Sequence, residues 1–192
     1  LMQGVLGIDR RRSLPKFSKR TFTKWFAEHT PDAQAGSRGT VVLLDDCLTS
    51  YCEPRINRVG VKLLERMGYR VVPAGLWCCG RPLISLGLLE PARRLIQRNL
   101  GVLQRYVEQG WPILGTEPSC LLTLADEYPA FFPMELTEQI RKSAALLDGW
   151  IGVRLEETPG LLEFEESNER ALVHGHCQQK ALLGMEGTRR AL

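Results

Sequence analysis

Six cysteines mark the chain at positions 47, 52, 78, 79, 120 and 177, and two of them stand side by side in "LWCCGRPLISLG", residues 76–87. A single free cysteine is commonly a small buried hydrophobe. Six in 192 residues exceed what a core of this size needs, yet fall short of a small disulfide scaffold. Metal binding and redox chemistry are therefore the open questions, because the thiolate is both ligand and nucleophile. Gly80 and Arg81 follow the pair directly, the arginine as a fixed positive charge that favours thiolates. Around Cys177, in "HGHCQQK", His174 and His176 can ligate a metal, orient a quinone or hydrogen-bond a cluster sulfur, or serve as ordinary loop histidines. Asp45 and Asp46, with Glu53 nearby, can form an acid/base pair, but helix capping explains them more simply, and Glu117 fits the same account. His29 is expected at a helix end.

Such residues need a frame that brings them together. "TVVLLDD" (40–46) and "YRVVPA" (69–74) are continuous apolar runs with β-branched residues, as buried parallel strands require. Between them lies a helix with Pro54 at its first position, apolar residues Val59, Leu63, Leu64 and Met67, and a stop at Gly68. A longer helix runs from about Pro91 to Gln109, with Leu95, Ile96, Leu100, Leu103 and Val107 on one face. "WPILG" (111–115) is a third strand, and a helix starts at "EPSC". Leu136 to Trp150 is expected as a further helix, 156–169 as an acidic, Pro/Gly-broken connection, and "RALVHG" (170–175) as a fourth strand. The alternation predicts an α/β fold: a doubly wound, mostly parallel sheet with helices on both faces.

On that frame Cys47 follows the first strand, Cys78 and Cys79 the second, Cys120 the third and Cys177 the fourth. Loops at the carboxyl ends of such a sheet meet in one crevice, where helix N-termini also point. Thiols scattered over 130 positions, from Cys47 to Cys177, are thus expected to converge. Cys52, five residues past Cys47, can be a ligand, a neighbour or a packing residue.

The net charge of +3 is too small to imply nucleic acid, although Arg10, Arg11, Arg12, Lys16, Lys19, Arg20 and Lys24 concentrate positive charge near the start. That segment is expected to present a solvated basic face. No apolar run reaches the roughly 18 residues that span a bilayer, and the expected location is the cytoplasm, peripheral to the inner membrane at most.

"CCGRPLISLG" followed by "TEPSCLLTLADEYPAFFP" resembles the cysteine-rich CCG domain of iron-sulfur oxidoreductases, such as FAD-linked glycolate and D-lactate oxidases, anaerobic glycerol-3-phosphate dehydrogenase and heterodisulfide reductase. "ALVHGHCQQKAL" resembles the opening of that family's second repeat, and "LPKFSKRTFTKWF" the segment before the domain in long FAD-linked oxidases. The resemblance covers roughly residues 13–190. It implies a basic N-terminal arm and helix over 1–38, a first cysteine-rich repeat over 39–155, and over 156–192 a linker and the start of a second repeat. The 30 residues between Cys47 and Cys78 fit the family spacing. The third position carries Cys120 alone, since Glu117 and Thr123 stand three residues to either side. No second Cys-Cys-Gly follows Cys177 before Leu192, and the chain is expected to be a fragment or a truncated gene product.

The resemblance implies an iron-sulfur cluster of the four-iron, four-sulfur type, bound by Cys47, Cys78, Cys79, Cys120 and Cys177 with Gly80, Arg81 and His176 beside it. The chain would relay electrons from a flavin-containing catalytic domain or subunit, which holds FAD and oxidises a 2-hydroxy acid or glycerol 3-phosphate, toward a quinone or another acceptor. It carries no complete substrate-oxidising site of its own. A different class of function remains open: a zinc-bound or metal-free module that holds subunits together, with Cys78, Cys79, Cys120 and Cys177 or a histidine around a tetrahedral ion. Thiol redox chemistry is a third.

Overall fold

The computed structural model describes residues 4, 7–9, 11–13, 15–165, 170 and 172–192. Arg10 of the basic run and Ala171 of the expected fourth strand lie outside the described residues. Helix α1 (Phe22–Ala27) precedes β1 (Thr40–Leu43), and a π-type turn (Leu48–Cys52) leads into α2 (Pro54–Arg66) and β2 (Arg70–Pro73). Short α3 (Arg81–Ser85) and long α4 (Leu89–Glu108) lead to β3 (Ile113–Gly115). Next come α5 (Pro118–Leu122), a second π-type turn (Thr123–Glu127), α6 (Tyr128–Phe131), α7 (Glu135–Ser143), β4 (Ala144–Leu146) and α8 (Leu147–Glu157). Helices α9 (Cys177–Leu182) and α10 (Glu186–Ala191) close the chain.

All strand pairs are parallel, in the order β2-β1-β3-β4. The chain reverses its direction of travel across the sheet after β2, so right-handed crossovers must put α2 on one face and α4 with α5–α7 on the other. Side-chain alternation along the strands matches this. Val42 and Leu44 of the first strand segment and Ile113 of β3 pack with Ile96, Leu100 and Leu103 of α4, with Leu121 and with Ile140 of α7. Val41, Leu43 and Leu114 face the other way, against Val61 and Leu64 of α2 and Trp150 and Ile151 of α8. The doubly wound α/β fold predicted from the alternation is the fold observed.

Three local expectations are corrected. The fourth strand is Ala144–Leu146, inside the window 136–150 predicted as one helix, and it pairs with β3 through Ile113↔Ala144 and Gly115↔Leu146. Residue 170 and residues 172–175 form no strand, and Leu172 is fully exposed: the place beside β3 is already taken. On α2, Val59 is 63 % exposed, and the buried face runs through Asn57, Val61 and Leu64 instead. Pro54 does open this helix at its first turn. In the basic N-terminal segment, Phe22 of α1 is fully buried among the α2 and β1 side chains, so this part of the arm is bound into the core.

The tightest joint between sheet and site lies at the end of β3. A Cβ built on Gly115 would stand 2.8 Å from Leu121 Cβ, and Leu121 neighbours Cys120 on α5. Gly115→Ala should therefore push α5 off the strand end and lower stability by about 1–3 kcal/mol, as read from the urea midpoint at unchanged m-value. Unchanged stability would show that α5 is free to shift.

Candidate metal centre

The loop after β2 places the Cys-Cys pair, and its geometry depends on Gly80. That residue has φ +97°, a conformation that a side-chain-bearing residue adopts only with strain, and it turns the chain into α3. Its N–H donates to Cys78 Sγ at 3.4 Å. Cys120, on the first turn of α5 after β3, meets the pair from the far side of β1: Cys79 Sγ donates to Cys120 Sγ at 3.3 Å. The Cys78 thiol lies close enough to Cys79 to be raised by it. Cys79 and Cys120 are buried, Cys78 is partly exposed, and Cys47 and Cys177 are exposed.

Cys47 follows β1 and lies within the electrostatic reach of Cys78. Burial pushes its thiol up, and the neighbouring Cys78 and Asp46 push it further. Cys78 is raised by the hydrogen bond it gives Cys79 and then by burial. Cys79 is pushed up to about 12, first by its hydrogen bond to Cys120, against a hydrogen bond from Cys78, and then by burial. Crowding and burial thus favour the protonated thiols of Cys47, Cys78 and Cys79 when no cation is near.

Arg81 does not face these sulfurs with its guanidinium. It pairs with Glu127, and with the Gln178 amide oxygen turned inward it also donates to Gln178 at 2.6 and 3.0 Å. The other Glu127 oxygen, Oε2, is buried without a hydrogen-bond partner. Gln178 belongs to α9, which packs on the Cys120 helix α5, and so Cys177 reaches the rim of the same region through helix packing rather than a strand end. Its nearest polar partner is its own neighbour, His176 Nδ1 at 4.0 Å. His176 caps α9 by accepting from Gln178 N at 3.3 Å and stands 3.9 Å from Glu117. His174 is exposed and Cys52 half-buried.

The carboxylates mostly serve the backbone. Glu117 caps α5, accepting from Ser119 N at 3.2 Å and Ser119 Oγ at 2.5 Å. Asp46 caps the turn after β1 through Thr49 N at 2.9 Å. Asp45 instead accepts from Gly75 N at 3.0 Å, tying the β1 end to the loop after β2, and burial pushes its carboxyl up to about 6. His29, just past α1, pairs with buried Glu65 at 2.8 Å.

Two residues at the site escaped the sequence reading. Asn99 of α4 and Tyr128 of α6, 4 % and 0 % exposed, lie directly behind the Cys-Cys loop. Asn99 Nδ2 donates to Cys78 O at 2.8 Å and to Tyr128 Oη at 2.7 Å, while Tyr128 donates to Cys79 O at 3.0 Å. An asparagine on the apolar stripe between Ile96 and Leu103 was the available signal.

Among the described residues, no three His, Cys, Asp or Glu side chains are grouped closely enough to hold a single metal ion. The donor set nevertheless suits a thiophilic group: Cys79 meets Cys120, Cys78 adjoins Cys79, Cys47 lies within reach of Cys78, and all are thiols.

A doubly wound α/β domain with thiols gathered where its strands end is the class that fold and site define. The chain is 31 % identical over 159 residues to a subunit of the anaerobic glycerol-3-phosphate dehydrogenase of Escherichia coli (strain K12), covering 82 % of this chain and 40 % of that one. It is 26 % identical over 152 residues to lactate utilization protein A of Bacillus velezensis, with 76 % and 60 % covered. Over 144 residues it is 26 % identical to D-2-hydroxyglutarate dehydrogenase of Escherichia coli (strain K12), with 75 % and 14 % covered. The chain thus belongs to the cysteine-rich Cys-Cys-Gly family that its motif resembles, and it spans about 40 % of the glycerol-3-phosphate dehydrogenase subunit. No family model matches the chain. No solved structure matches it either.

Burial orders the thiols by access. In the reduced, metal-free chain, a maleimide should label Cys177 well before Cys79 and Cys120, with peptide mass spectrometry giving the order. Labelling of Cys79 as fast as Cys177 would contradict the packed cluster.

Proposed function

We propose that this chain is an iron-sulfur electron-transfer domain of a flavin-linked oxidoreductase, with a cluster of the four-iron, four-sulfur type held by Cys78, Cys79 and Cys120 and completed by Cys47 and Cys177. The observation that carries this reading is the meeting of Cys79 with Cys120, Cys78 beside them, from the ends of β2 and β3, the two parallel strands that flank β1. The relatives, a glycerol-3-phosphate dehydrogenase subunit, a lactate utilization protein and a hydroxyglutarate dehydrogenase, support the setting. Oxidation of a 2-hydroxy acid or of glycerol 3-phosphate takes place at FAD in a partner domain or subunit. Electrons then pass through this domain toward a quinone or another carrier.

When bound, the cluster supplies one-electron storage at a potential set by its surroundings. The chain's own residues supply those surroundings. Ligating thiols would give up their protons on binding, which would relieve the crowding that raises Cys47, Cys78 and Cys79. Gly80 N–H donates to the sulfur of Cys78. Burial of Cys79 and Cys120 excludes water from one side. Arg81, neutralised by Glu127, braces α3 against the turn before α6, and His176 fixes the start of the helix that carries Cys177.

Free thiols suit a reducing cytoplasm, and a quinone acceptor would bring the domain to the inner membrane surface as a peripheral protein. Among the described residues, no helix is long and apolar enough to cross a membrane.

Cys79→Ser in the flavin-containing holoprotein, prepared anaerobically, separates ligand from packing residue. As a ligand, Cys79 is required for iron and visible absorption: the variant should lose both and still reduce its flavin with substrate, while transfer to a quinone fails. A packing residue would cost only about 1 kcal/mol of stability, with iron content and transfer intact. That result, or the finding of zinc in place of iron, would overturn the assignment.

A further inference from the structure

The Cys78–Cys79 backbone is held from behind by a buried polar pair that is neither motif nor metal ligand. Asn99 Nδ2 and Tyr128 Oη bond to each other at 2.7 Å, and each donates to one carbonyl of the Cys-Cys pair, at 2.8 Å to Cys78 and 3.0 Å to Cys79. Both side chains sit in the core, Tyr128 at 0 % and Asn99 at 4 % exposure, in surroundings of Ile96, Leu100, Leu124 and Cys120. A buried carbonyl without its donor loses about 1–3 kcal/mol, so these bonds hold the loop firmly.

The peptide plane carries the consequence forward. The Cys79 carbonyl and the Gly80 N–H belong to one peptide unit, and the described chain has no cis peptide. In a trans unit the two groups point in opposite directions. Tyr128 draws the carbonyl back into the core and so directs the Gly80 N–H forward, onto Cys78 Sγ at 3.4 Å. Asn99 acts in the same way on the preceding unit, turning the Cys79 N–H away from the core.

We propose that Tyr128 and Asn99 are positioning residues that set the N–H···S hydrogen bonds of the Cys-Cys-Gly loop and thereby tune the reduction potential of the iron-sulfur group bound there. The inference rests on the cluster reading above for its redox consequence, and on the loop geometry alone for the hydrogen bond itself. An N–H donated to a cluster sulfur stabilises the more negative, reduced state. Loosening it moves the midpoint to more negative values.

The test is Tyr128→Phe, which removes one oxygen and leaves the ring in place, with Leu124→Ala as a control that disturbs packing beside it. In anaerobically prepared holoprotein, Tyr128→Phe should keep its iron and acid-labile sulfide while the reduction equilibrium shifts roughly tenfold, about 59 mV for one electron, in the negative direction. In the metal-free protein, the Gly80 amide should exchange with solvent roughly tenfold faster. Leu124→Ala should lower stability and leave the midpoint unchanged. An unchanged midpoint and unchanged Gly80 exchange in Tyr128→Phe would overturn the proposal, as would an equal shift in Leu124→Ala. Wild-type protein without iron and sulfide would overturn the cluster reading instead, and the Gly80 exchange rate would then decide the hydrogen-bond lever by itself.

Discussion

The parallel pairing of β1 with both β2 and β3 fixes where the thiols can be. Parallel strands end on the same side of a sheet, and in the order β2-β1-β3-β4 the first three are immediate neighbours. Adjacent strands lie about 4.8 Å apart, so loops that leave their ends over one edge cannot diverge far before a helix turns them back. Cys47 leaves from β1, the Cys-Cys pair from β2 and Cys120 from β3. The order also reverses the crossover direction at β1, which parts the helices that begin after β1 and β3 and leaves the crevice where α/β folds of this kind bind ligands. The apolar burial of Val41, Val42 and Leu43, all at 0 % exposure, is therefore the foundation of the site as well as of the fold.

Convergence by itself creates a problem that the local chemistry makes visible. Thiols brought into contact and dried raise one another, as Cys47, Cys78 and Cys79 all do. The nearby acids add to the unfavourable field: Asp46 acts on Cys47, and Glu117 on Asp46. The one strong cation of the loop, Arg81, is committed to Glu127. A site meant to hold free thiolates for attack would be arranged in the opposite sense, with an uncommitted positive charge beside the sulfur. This arrangement instead suits sulfurs whose charge is met by a bound cationic group, while neutral backbone N–H donors tune what remains.

Much of this was legible in the sequence because the strongest signals were local and periodic. Val41 to Leu43, Val71 to Val72 and Ile113 to Leu114 are β-branched or apolar runs, and they are strands. The fourth strand, Ala-Ala-Leu, has no β-branched residue and is continuous with helix-forming neighbours on both sides; only its pairing with β3 makes it a strand. The same override displaced the strand expected at 170–175, because a sheet edge admits one neighbour. Val59 misled for a different reason: the buried stripe of α2 includes the polar Asn57, whose amide donates to Leu44 O at 3.2 Å and whose oxygen accepts from Thr116. Asn99 and Tyr128 were invisible in the same way. A polar side chain buried on a helix is recognised only once its partner, here a loop carbonyl from another part of the chain, is known.

That shared blind spot also describes how the molecule is assembled. Asn57 ties the β1 end to the β3 end, Asp45 ties the β1 end to the loop after β2 through Gly75 N, and Asn99 with Tyr128 ties α4 and α6 to the Cys-Cys loop. Each bonds a side chain to backbone, Asn57 also taking the Thr116 hydroxyl, and together they link the three loops that carry Cys47, the Cys-Cys pair and Cys120. Backbone carbonyls and N–H groups at strand ends have lost their ladder partners and must find others when buried. The same groups that a parallel sheet leaves unpaired at its carboxyl edge thus become the points at which its loops are fastened. The sulfurs inherit their positions from those fastenings rather than from contacts with one another.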